Sequence, residues 1–266
     1  MRVRDSRPPF AGLANLSEAQ LHRLPTPCYL LDEAQLRRNG EILLGVQQRT
    51  GCRILLAQKA FSNFNVYPVL APYLAGTEPA ACTRAAWAGK NCRRRRTMCS
   101  APPTGQMSLR NCCNTPTTSC STRPASLQSS ARRQRRRAKA SVCASTECST
   151  QEGHEIYDPC APGSRPGHHP CSVGRAVAAH PELPALLDGL HFHTLCEQDA
   201  DALAVTLAAV EKKFADLLPR MKWLNFGGGH HITRLGYALA TLENCILSVR
   251  QKYGVQVYLE PARLGR

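Results

Sequence analysis

Acidic residues are absent from a long central part of this sequence. Between Pro79 and Thr146 there is no Asp, Glu or His, and Trp87 is the only aromatic residue. The same segment has 14 Lys and Arg residues, which supply nearly all of the formal net charge of +15, and it has half of the 14 cysteines. Outside the segment the composition is that of an ordinary soluble enzyme. The chain therefore joins two unrelated compositions with abrupt borders.

Other absences limit the classes of function. No run of eighteen apolar residues is present, so we expect no membrane-spanning helix. The first residues lack the apolar stretch of a signal peptide, and we expect a cytoplasmic protein. The cysteines between 79 and 146 lack paired Cys-x-x-Cys spacing, and this argues against a zinc module.

A basic insertion that binds nucleic acid is the alternative interpretation of residues 79–146. The run Arg132–Lys139 fits such a patch. However, no aromatic residue follows Arg93 in the segment, so nothing there could stack on bases. We therefore expect no nucleic-acid partner.

Apolar runs alternate with amphipathic helices in the remaining sequence. The strands after residue 180 recur about every 33 residues, and such repeated strand–helix units favour a parallel (β/α) barrel with ligands at the carboxyl ends of its strands. The patterns predict helices over 33–48, 201–217 and 238–252, and strands over 26–32, 53–57, 190–193, 223–226 and 255–259.

Candidate chemical residues follow two of these strands directly. Lys59 comes after a buried strand, where a lysine can have its pKa lowered and form a Schiff base, although an exposed loop lysine is the ordinary alternative. Gly227, Gly228 and Gly229 follow another strand. Their backbone N–H groups could bind a phosphate, or the run could be a plain tight turn.

The other candidates are two histidines and an acid. His191 and His193 alternate along one strand and so point to the same side. They could bind a metal, stack on a cofactor, or be satisfied core histidines. Glu260 ends the last strand, where a carboxylate could pair with a protonated ring nitrogen.

At this point five motifs can be compared with a known family. They resemble carboxynorspermidine decarboxylases over roughly 24–78, 147–165 and 180–261. The resemblance implies a pyridoxal-phosphate-binding (PLP-binding) (β/α)8 barrel of the alanine-racemase type. In that family a C-terminal β-domain completes the site across a homodimer. The motifs are Leu24-Pro-Thr-Pro-Cys-Tyr, Leu56-Ala-Gln-Lys-Ala-Phe, Tyr157-Asp-Pro-Cys-Ala-Pro-Gly-Ser-Arg, Gly189-Leu-His-Phe-His-Thr-Leu-Cys-Glu-Gln and Asn225-Phe-Gly-Gly-Gly-His-His-Ile-Thr.

The resemblance also implies roles for the candidate residues. Lys59 would bind PLP covalently, His193 would stack on the pyridine ring, Gly227–Gly229 would hold the phosphate and Glu260 would pair with the ring nitrogen. No metal is expected, and Cys160 and Arg165 belong to a family motif without an assigned role.

The same resemblance implies a polyamine substrate, either carboxynorspermidine or carboxyspermidine. Diaminopimelate decarboxylases and amino-acid racemases are the alternative enzymes. They would share Lys59 and the glycine run but not the motifs that begin at Tyr157 and Gly189.

The resemblance stops at Pro79 and resumes at Glu147, which predicts a reading-frame error. If the third base of each codon is read with the next two, Gln106–Ser126 can become DEFAELLQYADHIVFNSPSQ, an amphipathic helix, a turn and an apolar strand. We therefore expect barrel segments at 24–78 and 147–261, with a disordered wrong-frame segment at 79–146. Residues 166–179 are a second candidate for a frame error, and 262–266 are expected to be a wrong-frame tail.

The sequence consequently predicts an incomplete barrel that lacks the C-terminal β-domain. In related decarboxylases a cysteine of that domain donates the proton that replaces CO₂. The chain with the present sequence is therefore expected to be inactive, although its family is enzymatic.

Overall fold

Eight parallel strands form a closed barrel in the computed structural model. The structure describes residues 16–78, 96–99, 117–121, 141–145, 158, 160 and 170–261. The strands pair in chain order, and the last pairs with the first. They are β1 (Arg53–Ala57), β2 (Gly76–Glu78), β3 (Arg96–Cys99), β4 (Thr117–Ser121), β5 (Ser141–Ser145), β6 (Gly189–Phe192), β7 (Trp223–Asn225) and β8 (Gln256–Leu259).

Amphipathic helices cover the outside of the barrel. Asp32 caps the long second helix by accepting a hydrogen bond from the Gln35 backbone N–H at 2.8 Å, and Gly51 ends it in a left-handed conformation with φ of 66°. The α-helices are α1 (Glu18–His22), α2 (Glu33–Thr50), α3 (Tyr67–Leu70), α4 (Pro170–Ala179), α5 (Leu183–Leu186), α6 (Ala200–Lys213) and α7 (Leu239–Tyr253), with 3₁₀ turns at Phe64–Val66 and Leu218–Arg220.

Alternation along the strands separates two apolar layers. Leu55, Trp223 and Tyr258 pack together as a small cluster inside the barrel. Their strand neighbours, such as Leu56 and Leu224, join the larger core between barrel and helices. Because side chains two apart share a face, the residues that continue the inner row toward the strand ends also face the barrel interior. This row carries the polar residues of the candidate site.

The predicted barrel is confirmed, and its elements lie close to the predicted bounds. The exception is residues 26–32, where the predicted strand is wrong. In the part of the chain that the structure describes, no strand pairs with this segment, and Tyr29 is fully exposed there. The local sequence alone therefore did not produce a strand, because a strand also needs a partner edge.

Three of the eight strands lie within 79–146, the segment for which the sequence predicts disorder. The backbones of β3, β4 and β5 pair with one another and with β2 and β6, so the ring is closed, whereas the sequence predicts an incomplete barrel. Parallel pairing uses only backbone N–H and C=O groups, which every non-proline residue supplies. The rest of that segment, Arg165 and the tail at 262–266 lie outside the described residues. The predicted domain boundaries and the frame error stay predictions.

None of the helices in the described ranges combines the length and the apolar character that crossing a membrane requires.

Packing of α7 against α2 and α6 gives a direct test of the fold. Ile246 is fully buried in the large core, while the neighbouring Leu247 is 44% exposed. We expect Ile246→Ala to lower the free energy of unfolding by about 2–5 kcal/mol, measured by urea denaturation. The matched variant Leu247→Ala should change it by less than about 0.5 kcal/mol. Equal losses in the two variants would contradict this packing.

Candidate active site

Lys59 lies just past the end of β1, with its side chain exposed. The preceding residue extends the strand ladder, because the Gln58 N–H donates to the Glu78 carbonyl at 3.0 Å. Burial is the largest influence on the pKa values of His191, His193 and Glu260, and the positive charge of Lys59 acts on each of the three in the lowering direction. The lysine therefore lies beside the other predicted site residues, as its position after a barrel strand requires.

The two histidines follow the predicted alternation along β6. His191 is buried inside the barrel, and His193, just beyond the strand, is partly exposed. The His193 Nδ1 accepts a hydrogen bond from the Gly228 N–H at 3.2 Å. This bond fixes the imidazole ring against the glycine run, so the end of β6 and the loop after β7 form one surface.

Glu260 is held in place by Asn225. The Asn225 Nδ2 donates to the Glu260 Oε1 at 2.6 Å, while the Asn225 Oδ1 accepts from the Gly227 N–H at 2.9 Å. The Glu260 N–H also donates to the Gly227 carbonyl at 2.7 Å. A single amide side chain thus ties the carboxylate to the glycine run.

Close backbone approach explains why glycines follow β7. A Cβ at Gly227 would lie 2.3 Å from the Phe192 carbonyl, and one at Gly229 would lie 2.0 Å from the Leu195 carbonyl. Both glycines also have positive φ values, 70° and 84°. Larger residues would push the loop away from the end of β6 and open the surface described above.

Two glycine N–H groups already have protein partners. Gly227 donates to Asn225 and Gly228 donates to His193. The predicted phosphate role of Gly227 therefore differs from what its N–H does in the structure, where it orders the turn. A phosphate would have to accept hydrogen bonds from the Gly229 N–H and from the Gly228 N–H. The Gly228 N–H would first have to leave its 3.2 Å hydrogen bond to the His193 Nδ1.

Burial dominates the electrostatics of the site. It raises the pKa of Glu260 to about 7, with the Asn225 hydrogen bond and the Lys59 charge acting in the opposite direction. Burial also lowers the pKa of His191 to about 4 and that of His193 well below its usual range. At neutral pH both imidazoles are therefore neutral, and Glu260 can take up or release a proton.

Sequence reasoning missed two residues of the site. Asn225 has a signal in the sequence, because it is an amide in an otherwise apolar strand. Glu78 is buried at the end of β2, and its charge raises the pKa of His191. It lies at the border of the basic segment, where the resemblance ends, so no motif pointed to it.

The motif that contains Cys160 is only partly described. The Cys160 N–H donates to the Asp158 carboxylate at 2.7 Å, which forms a local turn. Arg165 lies outside the described residues. Neither residue of this motif gains a chemical role from the structure.

The raised pKa of Glu260 predicts a pH-dependent stability. Its pKa of about 7 in the folded chain exceeds the ordinary value of 4.5, so burying it costs stability as pH rises from 4.5 through 7. Glu260→Gln should therefore raise the free energy of unfolding of the cofactor-free chain more at pH 8 than at pH 5. The difference between the two gains should be on the order of 3 kcal/mol. Urea unfolding at both pH values measures this difference.

Glu41→Gln, at an exposed carboxyl on α2, is the matched control for that experiment. It should show no such dependence on pH, because an exposed carboxylate stays hydrated in the folded chain. A Glu260→Gln variant whose advantage is the same at pH 5 and pH 8 would contradict the electrostatics described above.

Comparison with known proteins points to polyamine enzymes. No family model matches the chain. The chain is 32% identical over 239 residues to a carboxynorspermidine/carboxyspermidine decarboxylase of Campylobacter jejuni, covering 90% of this chain and 60% of that protein. It is 33% identical over 229 residues to a carboxyaminopropylagmatine decarboxylase of Synechocystis, covering 84% and 56%. The chain thus spans less than two thirds of the length of these relatives.

Solved structures give the same result at the level of the fold. The carboxynorspermidine decarboxylase of Campylobacter jejuni, solved with norspermidine, superposes with a TM-score of 0.76 at 29% identity and covers 90% of this chain and 60% of that one. The diaminopimelate decarboxylase of Helicobacter pylori, solved with L-lysine, gives 0.74 at 16% identity, covering 92% and 65%, and shows the shared fold only. The chain is therefore similar in sequence to part of the carboxynorspermidine/carboxyspermidine decarboxylases and shares the barrel fold of the carboxynorspermidine decarboxylase structure.

Proposed function

We propose that the complete protein decarboxylates carboxynorspermidine or carboxyspermidine with PLP as cofactor, in polyamine biosynthesis. One observation carries the proposal: Lys59, His193, Glu260 and the glycine run, from four different parts of the barrel, meet at the carboxyl ends of its strands. This is the end at which barrel enzymes place their chemistry.

The residues present fit PLP in kind. A lysine amine can bind the cofactor covalently, an imidazole can stack on its ring, and a carboxylate can pair with its ring nitrogen. The Gly229 N–H, together with the Gly228 N–H once it leaves His193, could bind a phosphate. Bound PLP supplies an electron sink for the loss of CO₂.

Each residue then has a definable task. Lys59 would hold the cofactor covalently, and its free amine could carry a proton near the reacting carbon. Glu260 keeps a proton on the ring nitrogen, and Asn225 fixes the carboxylate oxygen that does so. His193 would cover one face of the cofactor ring and exclude water from it, while the Gly228 N–H holds the orientation of the imidazole.

The relatives support the choice of substrate. The relatives that are 32% and 33% identical to this chain over the aligned residues act, by name, on carboxylated polyamines. Diaminopimelate decarboxylase is more distant at 16% identity. The motifs that begin at Tyr157 and Gly189 favour the same choice.

A decarboxylation assay tests the proposal. The full-length protein with a corrected reading frame should release CO₂ from carboxynorspermidine or carboxyspermidine in a PLP-dependent way, and much less from meso-diaminopimelate. Faster release from diaminopimelate would assign the alternative enzyme. A PLP-dependent racemase activity without CO₂ would exclude decarboxylation.

We also propose a homodimer and a cytoplasmic location, as the resemblance implies. Sedimentation of the full-length protein tests the first, because a monomer at micromolar concentration would exclude it. Fractionation of cells tests the second.

We further propose that residues 79–146 are encoded in the wrong frame. The position of β4 supports this. The apolar run HIVF of the shifted translation falls on residues 117–121, where the barrel has its fourth strand. The present sequence gives Thr, Ser and Cys there, whose side chains bury less apolar area than Ile, Val and Phe would. A basic insertion that binds RNA would not be expected to supply barrel strands at this place.

A further inference from the structure

A buried nitrogen of His191 faces Glu260 without a hydrogen bond. The His191 Nε2 lies 3.8 Å from the Glu260 Oε1, and it has no hydrogen-bond partner among the described residues. A hydrogen bond would need about 2.7–3.2 Å. Two ligands of one tetrahedral ion, with bonds of about 2.1 Å, lie about 3.4 Å apart. The separation is therefore long for a hydrogen bond but close to that of two atoms bound to the same ion.

His193 adds a third donor to this pair. One ligand atom each from His191, His193 and Glu260 lies within 4.8 Å of the others. Two imidazoles and one carboxylate are the donor set that zinc and neighbouring transition metals accept, and three protein ligands leave a position open. An imidazole nitrogen binds a metal through its lone pair, and the buried His191 Nε2 has no hydrogen-bond partner among the described residues.

The surroundings support a cation as well. Asn225 holds the Glu260 oxygen, as residues behind a metal ligand commonly do. The Lys59 charge opposes a cation, while the buried Glu78 acts on His191 with the opposite sign. The Gly228 N–H would give up its bond to the His193 Nδ1 if the ion takes that nitrogen.

We propose that His191, His193 and Glu260 bind one divalent transition-metal ion of the zinc class when PLP is not in the site. His193 and Glu260 are also the residues proposed to meet the cofactor ring, so metal and PLP exclude each other. The metal site does not depend on the proposed function. The mutual exclusion of metal and PLP does rest on the proposed function.

Titration of the full, cofactor-free chain with Co²⁺ tests the metal site. Co²⁺ is chosen because the chain has 14 cysteines, and thiolate ligation gives an intense near-ultraviolet band that imidazole and carboxylate ligands do not. One ion should bind without this band. His191→Gln and Glu260→Gln should each weaken binding at least about tenfold. His180→Gln, at an exposed histidine 3.5 Å from Glu182, should bind as the unchanged chain does.

The outcomes distinguish the metal site from the mutual exclusion of metal and PLP. Far-UV circular dichroism confirms that each variant keeps its fold. No saturable Co²⁺ binding, a thiolate band, or binding unaffected by both site substitutions would overturn the metal site. If the site binds Co²⁺, added PLP should displace it. Covalent PLP binding that leaves the Co²⁺ bound would contradict the proposal that PLP and the metal use the same residues. Failure of PLP to bind at all would count against the proposed function only.

Discussion

Replacing Lys59 by Ala is expected to abolish covalent binding of PLP to the full-length protein and to lower decarboxylation by on the order of a thousandfold or more. Lys59 is the lysine whose charge acts on His191, His193 and Glu260, so its amine lies where the cofactor would be held. Borohydride reduction followed by peptide mapping measures the attachment. The pyridoxyl group should be found on the peptide that contains residue 59.

Lys222→Ala is the matched control for this experiment. Lys222 is an exposed lysine whose Nζ lies 2.7 Å from the Asp188 carboxylate, and it precedes β7 at the opposite end of the strand from the glycine run. Its loss should leave both the attachment and the rate unchanged. A pyridoxyl group on any lysine other than Lys59 would refute the assignment.

In the full-length protein, restoring the shifted reading frame across residues 79–146 is expected to convert an inactive protein into an active one. Each buried Val, Ile or Phe side chain contributes about 1.5–3 kcal/mol, while a protein has a total margin of about 5–15 kcal/mol. In β4 alone, the run HIVF would replace Thr, Ser and Cys. We therefore expect the present chain to be less stable than the repaired protein and to release no CO₂ from carboxynorspermidine.

Two constructions of the gene test this expectation. The repaired full-length gene should give soluble protein that binds PLP and releases CO₂. A gene that is full-length but keeps 79–146 as they are separates the frame error from the shorter length of the chain. Measurable turnover by that second protein would mean that residues 79–146 are true coding sequence, and resequencing of the gene would then show no error there.

The fold could be predicted where periodicity is strong. Helix α2 and strand β1 lie where the sequence places them, because a capped amphipathic helix and a continuous apolar run are local patterns. The strands inside 79–146 could not be predicted from the residues as they stand, since these have no strand pattern, and only the shifted reading contains an apolar strand there. They are positioned by the backbone edges of β2 and β6 that the ring must join.

The residues of the candidate site could likewise be predicted only in part. Lys59, His193 and Glu260 could be proposed from the sequence, because each follows a recognisable strand. The hydrogen bond from Asn225 to Glu260 and the burial of Glu78 could not. They depend on which strands become neighbours and on how deep each side chain lies.

By itself the sequence determined the type of each strand–helix unit and the chemical identity of the groups at the strand ends. Only the tertiary structure decided that those groups meet and what their protonation states are. The reason is physical: residues as far apart as 59 and 260 interact only after the barrel has closed, because β1 and β8 then become neighbours. The pKa of Glu260 reaches about 7 only because the closed barrel removes water from the carboxyl group.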